Sequence, residues 1–566
     1  MKSRTSFFNP TVFKKDLTRF APTWALYTVG LFMMLAICMD ATHQYRQAQN
    51  LVDTLSFMAV INLGYGLLNG QLLFGDLFSA KHCNALHAMP LRRECWYVTH
   101  TVSGLLFSLV PNALFTLVAA AILGGGWSVA FWWLLVVTLQ YVCFFGLAVL
   151  SALCVGNRFA MVLVYGIINF LSVIIYWFYY SIYEPLLYGV QCSEDAFTRF
   201  CPVWTMDEMG YDLLVINRTT ESQMVRTVEI GEGWGYYAIY AAIGVALLGL
   251  ALMLYRRRKL ESAGDFMAVR ALEPVFLGLY TLSVAAFFHA FADLFDTVQY
   301  VFLGLGIIVG FFTGRMLLKR TIRVFQPKAL LAFAVVCVVF AGSMVMTAID
   351  PLGVTRYVPR AEQVKHVYVT SNRYNQNYSG DFVLKTPEDV EKVVQLHETI
   401  LAGEPAELDD DYFSICVSYV LKNGKTVQRY YPDVKVGSEA WVQAKFFFTR
   451  TEYILNGDPD AVLAGLASVD VSVYESAENG DGYYGSLPAD MGRELMQAII
   501  ADCNTGKLVQ HWAFAEDRDS IGWLEFRWVD ENGIEYYNNI DLYRSADETT
   551  DFLENTVQPW LEVNGY

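Results

Sequence analysis

Residues 127–155 read WSVAFWWLLVVTLQYVCFFGLAVLSALCV, a run without a charged side chain. About 20 apolar residues in a helix cross a bilayer whose hydrocarbon core is roughly 30 Å thick. Stretches of similar character lie near 22–39, 54–74, 99–123, 159–183, 234–255, 275–293, 297–317 and 329–349. One such run can be a buried core helix of a soluble protein, but nine of them predict a polytopic α-helical membrane protein embedded in a lipid bilayer.

The charge of the chain is divided between two regions. Residues 1–349 contain 23 basic and 19 acidic side chains, a net charge of +4, whereas residues 350–566 contain 17 and 37, a net charge of −20. The second region is therefore predicted to be a water-soluble domain. Its acidity argues against a nucleic-acid partner, since nucleic-acid binding needs a basic face that displaces counterions.

The orientation follows from the positive-inside rule, because Lys and Arg concentrate in cytoplasmic loops. With the N-terminus in the cytoplasm, 19 of the 23 basic residues of 1–349 fall on the cytoplasmic side. The remaining four are Arg46, Arg199, Arg218 and Arg226. The rule predicts a multi-pass protein of the plasma membrane with residues 350–566 outside the cytoplasm.

Residues 350–566 are predicted to form an extracytoplasmic α+β domain of two β-α-β-β-α repeats, at about 364–457 and 469–563. Each copy has a strand, a helix and then a hairpin. The hairpins turn at Asn423-Gly424 and near Asn532-Gly533, and Asn-Gly is the strongest short hairpin signal. The alternative is one α+β domain whose halves are similar by chance.

Catalytic motifs are absent from the sequence. A Walker loop needs Gly five residues before its Gly-Lys pair, but Gly424-Lys425 and Gly506-Lys507 are preceded there by Tyr419 and Ala501. His366, His397 and His511 are scattered, and His397 is predicted on the surface of a helix. We therefore expect no enzyme activity and no cofactor in this chain, with ATP used only by a separate subunit.

Two groups of polar residues near the membrane allow more than one interpretation. His82, Cys83, His87 and Cys95 lie in one loop, but their spacing does not fit a zinc site, and a basic surface loop is the better interpretation. His289 and Asp293 share a face of the seventh span, where a structural role is favoured over a proton relay.

Asn62, Gly66, Asn69 and Gly70 recur at i, i+4, i+7 and i+8, along one face of the second span. Glycines four residues apart allow close helix approach, and the amides can form interhelical hydrogen bonds. This face is predicted either to pack against another helix or to line a substrate pathway or subunit contact. Separately, Cys192 and Cys201 could form a disulfide or remain two buried thiols.

Four segments resemble the membrane subunit of ABC-2-type ABC transporters. NPTVFKKDLTRFAPTW (9–24) resembles its amphipathic connecting helix, and KHCNALHAMPLRRECWYVTH (81–100) resembles its "LHSLPxSR" loop. The external segment 184–233 resembles its re-entrant external helices, and YRRRKLESAGD (255–265) resembles the sequence that follows span six. The resemblance covers about residues 1–270. Arg92, where Ser is common, the three extra spans and the terminal domain depart from the family pattern.

The resemblance implies an export-type permease subunit driven by a separate ABC ATPase, working as a homodimer or with a second permease subunit. It divides the chain into a cytoplasmic connecting helix (1–21), a six-span domain (22–255), a linker with three further spans (256–349) and the external domain. The loop between spans two and three would dock on the ATPase. Its docking residues would be His82, Asn84, Leu86, His87, Met89, Arg92 and Arg93. The alternative function is a membrane-anchored receptor or sensor whose external domain binds a ligand.

Overall fold

The structure is a computed structural model of the chain. It describes residues 7–39, 44–89, 91–124, 127–191, 195–211, 213–218, 225–231, 233–293, 299–371, 383–406, 411–473, 483–509, 512–514, 520–529 and 535–564. The chain divides into two compact units, Met1–Tyr183 with Ser193–Ser343, and Glu184–Cys192 with Met344–Tyr566.

The first unit is mainly helical. Its helices are α1 (Pro10–Arg19), α2 (Ala21–Cys38), α3 (Gln44–Leu73), α4 (Ala80–His87), α5 (Arg93–Ile122), α6 (Trp127–Cys154), α7 (Arg158–Ile182), α8 (Asp195–Thr198), α9 (Pro202–Glu208), α10 (Trp234–Arg257), α11 (Glu273–Asp293), α12 (Gln299–Lys319) and α13 (Pro327–Ile349). Between α9 and α10, strands β1 (Leu214–Arg218) and β2 (Val225–Ile230) form an antiparallel hairpin.

The described residues contain nine helices long and apolar enough to cross a membrane, namely α2, α3, α5, α6, α7, α10, α11, α12 and α13. The expectation of a polytopic helical membrane protein is confirmed at this level. Helix α3 begins at Gln44 rather than near 54, and α5 begins at Arg93 rather than near 99. The polar turns that precede these apolar runs continue the helices, which a search for apolar residues alone does not reveal.

Helix α6 forms the centre of this unit, packed between α3, α5, α7 and α10. Glycines allow the helix backbones to approach closely, as in other membrane bundles. A Cβ atom at Gly146 of α6 would lie 2.5 Å from the carbonyl oxygen of Gly244 in α10. A Cβ at Gly66 of α3 would lie 3.1 Å from the backbone of Phe144 in α6.

The segment 184–233 contains features that the sequence did not predict. The resemblance implies re-entrant helices there, and the structure has the short helices α8 and α9 followed by the β1–β2 hairpin. Helix α9 contacts α3, where Ser56 donates a hydrogen bond of 2.6 Å to the carbonyl of Asp207. Tyr237 of α10 donates to the carbonyl of Met206 at 2.6 Å, so α9 is fixed to two of the long helices.

The second unit contains two antiparallel sheets with separate apolar cores. Its elements are β3 (Val364–Thr370), α14 (Pro387–Ala402), β4 (Tyr412–Leu421), β5 (Thr426–Lys435), α15 (Glu439–Phe448), α16 (Thr451–Ile454), α17 (Pro459–Gly465), β6 (Leu466–Val473), β7 (Tyr483–Ser486), α18 (Ala489–Thr505), β8 (Ser520–Val529), β9 (Glu535–Tyr543), α19 (Asp547–Phe552) and α20 (Gln558–Asn564), with a π-helical turn at Leu553–Val557. The strand orders are β3-β4-β5 and β7-β6-β8-β9.

Both halves of the second unit follow the order strand, helix, strand, strand, helix, and the second half adds β7 between its first strand and its helix. Gly424 lies at the first hairpin turn with φ +81°, the left-handed conformation that an Asn-Gly turn needs. The second predicted turn, Asn532-Gly533, lies outside the described residues. The duplication itself stays a prediction.

Residues 184–191 belong with the second unit, although the sequence assigned them to the external segment of the membrane domain. Val190 forms a β-bridge with Arg429, and the amide of Tyr430 donates to the carbonyl of Gly189 at 3.1 Å. Gly189 has φ +74°, and a Cβ there would lie 2.2 Å from the ring of Tyr431. This short segment therefore covers the outer edge of β5.

Candidate functional site

The loop predicted to dock on an ATPase lies between α3 and α5. A 3-10 turn (Gly75–Phe78) leads into the eight-residue helix α4. The exposed residues among those predicted for docking are His82, Asn84, Met89 and Arg92, whereas Arg93 is half-buried. Leu86 and His87 belong to α4, but their side chains lie outside the described residues.

Arg258, directly after α10, ties this loop to three long helices. Its guanidinium donates to the carbonyls of Ala152 and Leu153 at 3.0 and 3.1 Å, at the end of α6. It also donates to the carbonyl of Leu77 at 3.2 Å, just before α4. In return, Arg93 at the start of α5 donates to the carbonyl of Arg258 at 3.1 Å. The last carbonyls of a helix lack intrahelical partners, so Arg258 satisfies groups that would otherwise be orphaned.

Helix α1 is attached to α5 through a buried carboxylate. Asp16, 4% exposed, accepts hydrogen bonds from His100 Nδ1 at 2.8 Å and from Ser103 Oγ at 2.9 Å. This site was not predicted from the sequence. The spacing of α1 could have indicated it. Asp16 lies four residues from both Val12 and Phe20, which are buried apolar residues. Asp16 is therefore an acidic residue on the apolar face of α1.

Three weaker ion pairs lie near α4 and the start of α5. Arg19 lies 3.6 Å from Asp76, His82 lies 3.8 Å from the same carboxylate, and Arg256 lies 3.3 Å from Glu94. These pairs are partly exposed, and such pairs contribute about 1 kcal/mol or less. They add little to stability, but they place charged groups around α4.

The predicted face of the second span packs against α6 of the same chain. Asn62 donates to Gln140 Oε1 at 3.0 Å, and Asn69 donates to Tyr141 Oη at 2.8 Å. Both asparagines are fully buried, and Gly70 lies so close that a Cβ would be 2.9 Å from Cβ of Ala148. This face therefore contacts α6 along its length; a role in a substrate pathway or subunit contact stays a prediction.

The remaining candidates in the membrane unit do not assemble into one site. Cys201 is buried, and its Sγ lies 3.4 Å from the carbonyl oxygen of Asn169. Cys192 lies outside the described residues, so the Cys192–Cys201 bridge stays a prediction. His289 is buried in α11, and the side chain of Asp293 lies outside the described residues. In the described part of the chain, no group of three His, Cys, Asp or Glu side chains could hold a metal.

His397 corrects one sequence prediction, because it is fully buried rather than on the surface of its helix. Nδ1 lies 3.1 Å from Tyr419 Oη, and Nε2 lies 2.7 Å from Tyr431 Oη. A neutral imidazole has one donor and one acceptor nitrogen, so one tyrosine hydroxyl donates to the ring and the other accepts. Burial, assisted by the nearby Arg429 guanidinium, lowers the pKa of His397 to about 3.

Acid is expected to destabilise the first half of the second unit through His397. The unfolded histidine titrates near pH 6.5, whereas the folded one stays neutral until about pH 3. Stability is therefore full above pH 6.5 and falls as the pH drops below it, by about 2 kcal/mol between pH 8 and pH 5. Urea unfolding of the full chain at both pH values, followed by hydrogen exchange in α14, would measure this loss. A His397→Gln variant should lose about 2 kcal/mol less, and an equal loss in both proteins would refute the assignment.

The fold defines a class: a multi-pass helical membrane protein with an attached unit built on small antiparallel sheets. Comparison of the chain with protein-family models, with curated proteins and with solved structures finds no match.

Proposed function

We propose that the chain is the permease subunit of an ATP-driven, export-type ABC transporter, coupled to a separate ATPase subunit through residues 80–93. One observation carries the proposal: the exposed short helix α4 follows a turn whose Leu77 carbonyl accepts a hydrogen bond from Arg258, the residue directly after α10, and the same side chain is bonded to the end of α6. A partner that pushes on α4 would therefore act on long helices rather than on an isolated loop.

A series of hydrogen bonds supports this transmission. Displacement of Leu77 pulls on the Arg258 guanidinium, which is also bonded to the last turn of α6. Arg93 carries the movement into α5, and Asp16 makes α1 follow α5. Hydrogen bonds to charged groups are each worth about 1.5–3 kcal/mol. The helices joined by these bonds would therefore move together.

The remaining parts of the proposal follow from the resemblance. Transporters of this class need two membrane halves, so the chain would act as a homodimer or with a second permease subunit. The N-terminus would be cytoplasmic and the acidic unit extracytoplasmic. ATP would be bound and hydrolysed by the partner, and this chain would contribute docking and movement without a catalytic residue.

Charge reversal at Arg92 tests the docking surface. The full chain is purified from native membranes with its associated proteins, and ATPase activity is measured with wild type and with Arg92→Glu. We expect stimulation to fall about tenfold or more, because unfavourable charges opposed across an interface cost several kcal/mol. Arg257→Glu makes the same change at an exposed arginine outside the loop and should leave the stimulation near its original value.

Two outcomes would contradict the proposal. If no ATPase accompanies the chain, the membrane-anchored receptor becomes the better explanation. If Arg92→Glu and Arg257→Glu reduce the stimulation of ATPase activity to the same extent, the ATPase does not dock on the loop between α3 and α5.

A further inference from the structure

One face of the second sheet turns away from its apolar core. In an antiparallel sheet, residues directly opposite each other share a face, so the register defines rows across the four strands. One row is Tyr484, Ser472, Trp523 and Asp541, and the next is Ser486, Asp470, Glu525 and Asn539. The opposite face carries Leu524, Phe526 and Ile540, which are buried in the core.

These two rows combine aromatic rings with carboxylates, and we call them the acidic–aromatic face; the next row on the same side of the sheet carries Arg527 and Tyr537. Tyr484 is 57% exposed, its ring centroid lies 6.3 Å from that of Trp523, and Glu525 and Asp541 are exposed. Asp470 is half-buried and accepts a hydrogen bond from Ser486. The surface therefore offers flat apolar area beside negative charge.

Asp470 and Glu525 are directly opposite each other on neighbouring strands. Like charges in this position destabilise a sheet. Among the residues that the structure describes, neither carboxylate makes an ion pair. A cation placed between them would reduce this repulsion.

We propose that the acidic–aromatic face binds a cationic peptide rich in lysine or arginine. Its ammonium or guanidinium groups lie between Asp470 and Glu525, and their aliphatic stems cover Tyr484 and Trp523. The net charge of −20 on residues 350–566 raises the local concentration of such a ligand. The proposal does not depend on coupling to an ATPase, because it uses only residues of the second sheet.

The test measures binding of a defined probe to the full chain in detergent. The probe is a fluorescein-labelled 12-residue peptide of alternating lysine and serine, and its glutamate–serine counterpart is the negative control. We compare wild type with the double variant Asp470→Asn/Glu525→Gln by fluorescence anisotropy. The matched control, Glu398→Gln/Asp490→Asn, makes the same charge change at exposed helical positions of the same unit.

The Asp470→Asn/Glu525→Gln variant loses two charge-assisted contacts, so it should bind the lysine peptide at least about tenfold more weakly than wild type. The control variant Glu398→Gln/Asp490→Asn should change the affinity for the lysine peptide by less than about twofold, because salt screens the charges of distant residues. Tyr484→Ser should also weaken binding. Equal weakening in both double variants, equal binding of the glutamate peptide, or no binding to wild type would overturn the proposal.

A second measurement separates binding from folding. Glu525→Gln alone removes the like-charge repulsion, so the variant should unfold at a higher temperature than wild type while binding the lysine peptide more weakly. A lower unfolding temperature together with weaker binding would show that Glu525 supports the sheet and would count against a ligand site.

Discussion

Replacing Gly244 with leucine is expected to abolish recovery of folded protein from membranes. A Cβ atom at this position would lie 2.5 Å from the carbonyl oxygen of Val142 and 2.7 Å from Cα of Cys143. Both obstacles are backbone atoms of α6, so no side-chain rotation can relieve the clash and the helices must separate. Overpacking of this severity costs about 3 kcal/mol or more, a large part of the stability of a folded domain.

Gly249→Leu is the matched control, because Gly249 lies in the same helix and a Cβ there would have nothing within 4 Å. This variant should remain within about 0.5 kcal/mol of wild type. Size-exclusion profiles and thermal unfolding of fluorescent fusions in detergent would compare the two. Normal recovery of Gly244→Leu would show that α6 and α10 are not in contact as described.

Replacing Arg258 with alanine is expected to release α4. The change removes the shared donor of three carbonyls, at Leu77, Ala152 and Leu153, and leaves them unsatisfied at a cost of about 2–4 kcal/mol. Cys83 reports the release, because it is 2% exposed and burial raises the pKa of its thiol. Maleimide labelling of Cys83, followed by peptide mass spectrometry, should accelerate at least about tenfold as local opening becomes easier.

Arg257→Ala provides the comparison, since Arg257 is exposed and adjacent in sequence. Its labelling rate at Cys83 should match wild type. If Arg258→Ala labels no faster than Arg257→Ala, Arg258 does not hold the loop, and the proposed transmission from α4 to α6 and α10 loses its basis. This result needs no partner protein, so it remains informative even if the ATPase is never found.

The long helices were predictable because each one leaves an unmistakable apolar run. The strand and helix order of the second unit was also readable, since an Asn-Gly turn such as Asn423-Gly424 marks a hairpin whatever surrounds it. Both signals are local. They do not depend on knowing which elements meet in the folded chain.

The features that escaped prediction depend on contacts between distant segments. Gly244 and Gly249 look alike in sequence, and only the presence of α6 makes the first one indispensable. His397 lies at helical spacing from the buried Val390, Val393 and Ile400, so its position on the apolar stripe was visible. Its polar side chain favoured a surface assignment. The two tyrosines that form hydrogen bonds with it lie in β4 and β5, and the sequence does not show that these strands pack against α14.

The segment 184–191, which covers the outer edge of β5, also has a consequence for biosynthesis. Residues 188–190 leave the ribosome long before Tyr430, so the edge they cover does not yet exist when they are made. The first sheet is complete only when the C-terminal region has been synthesised and has closed back on this earlier segment. A recombinant fragment starting at residue 350 would lack the cap and present a bare β5 edge, and bare edges recruit strands from neighbouring molecules. Soluble versions intended for crystallisation should therefore carry residues 184–191 as a fused peptide.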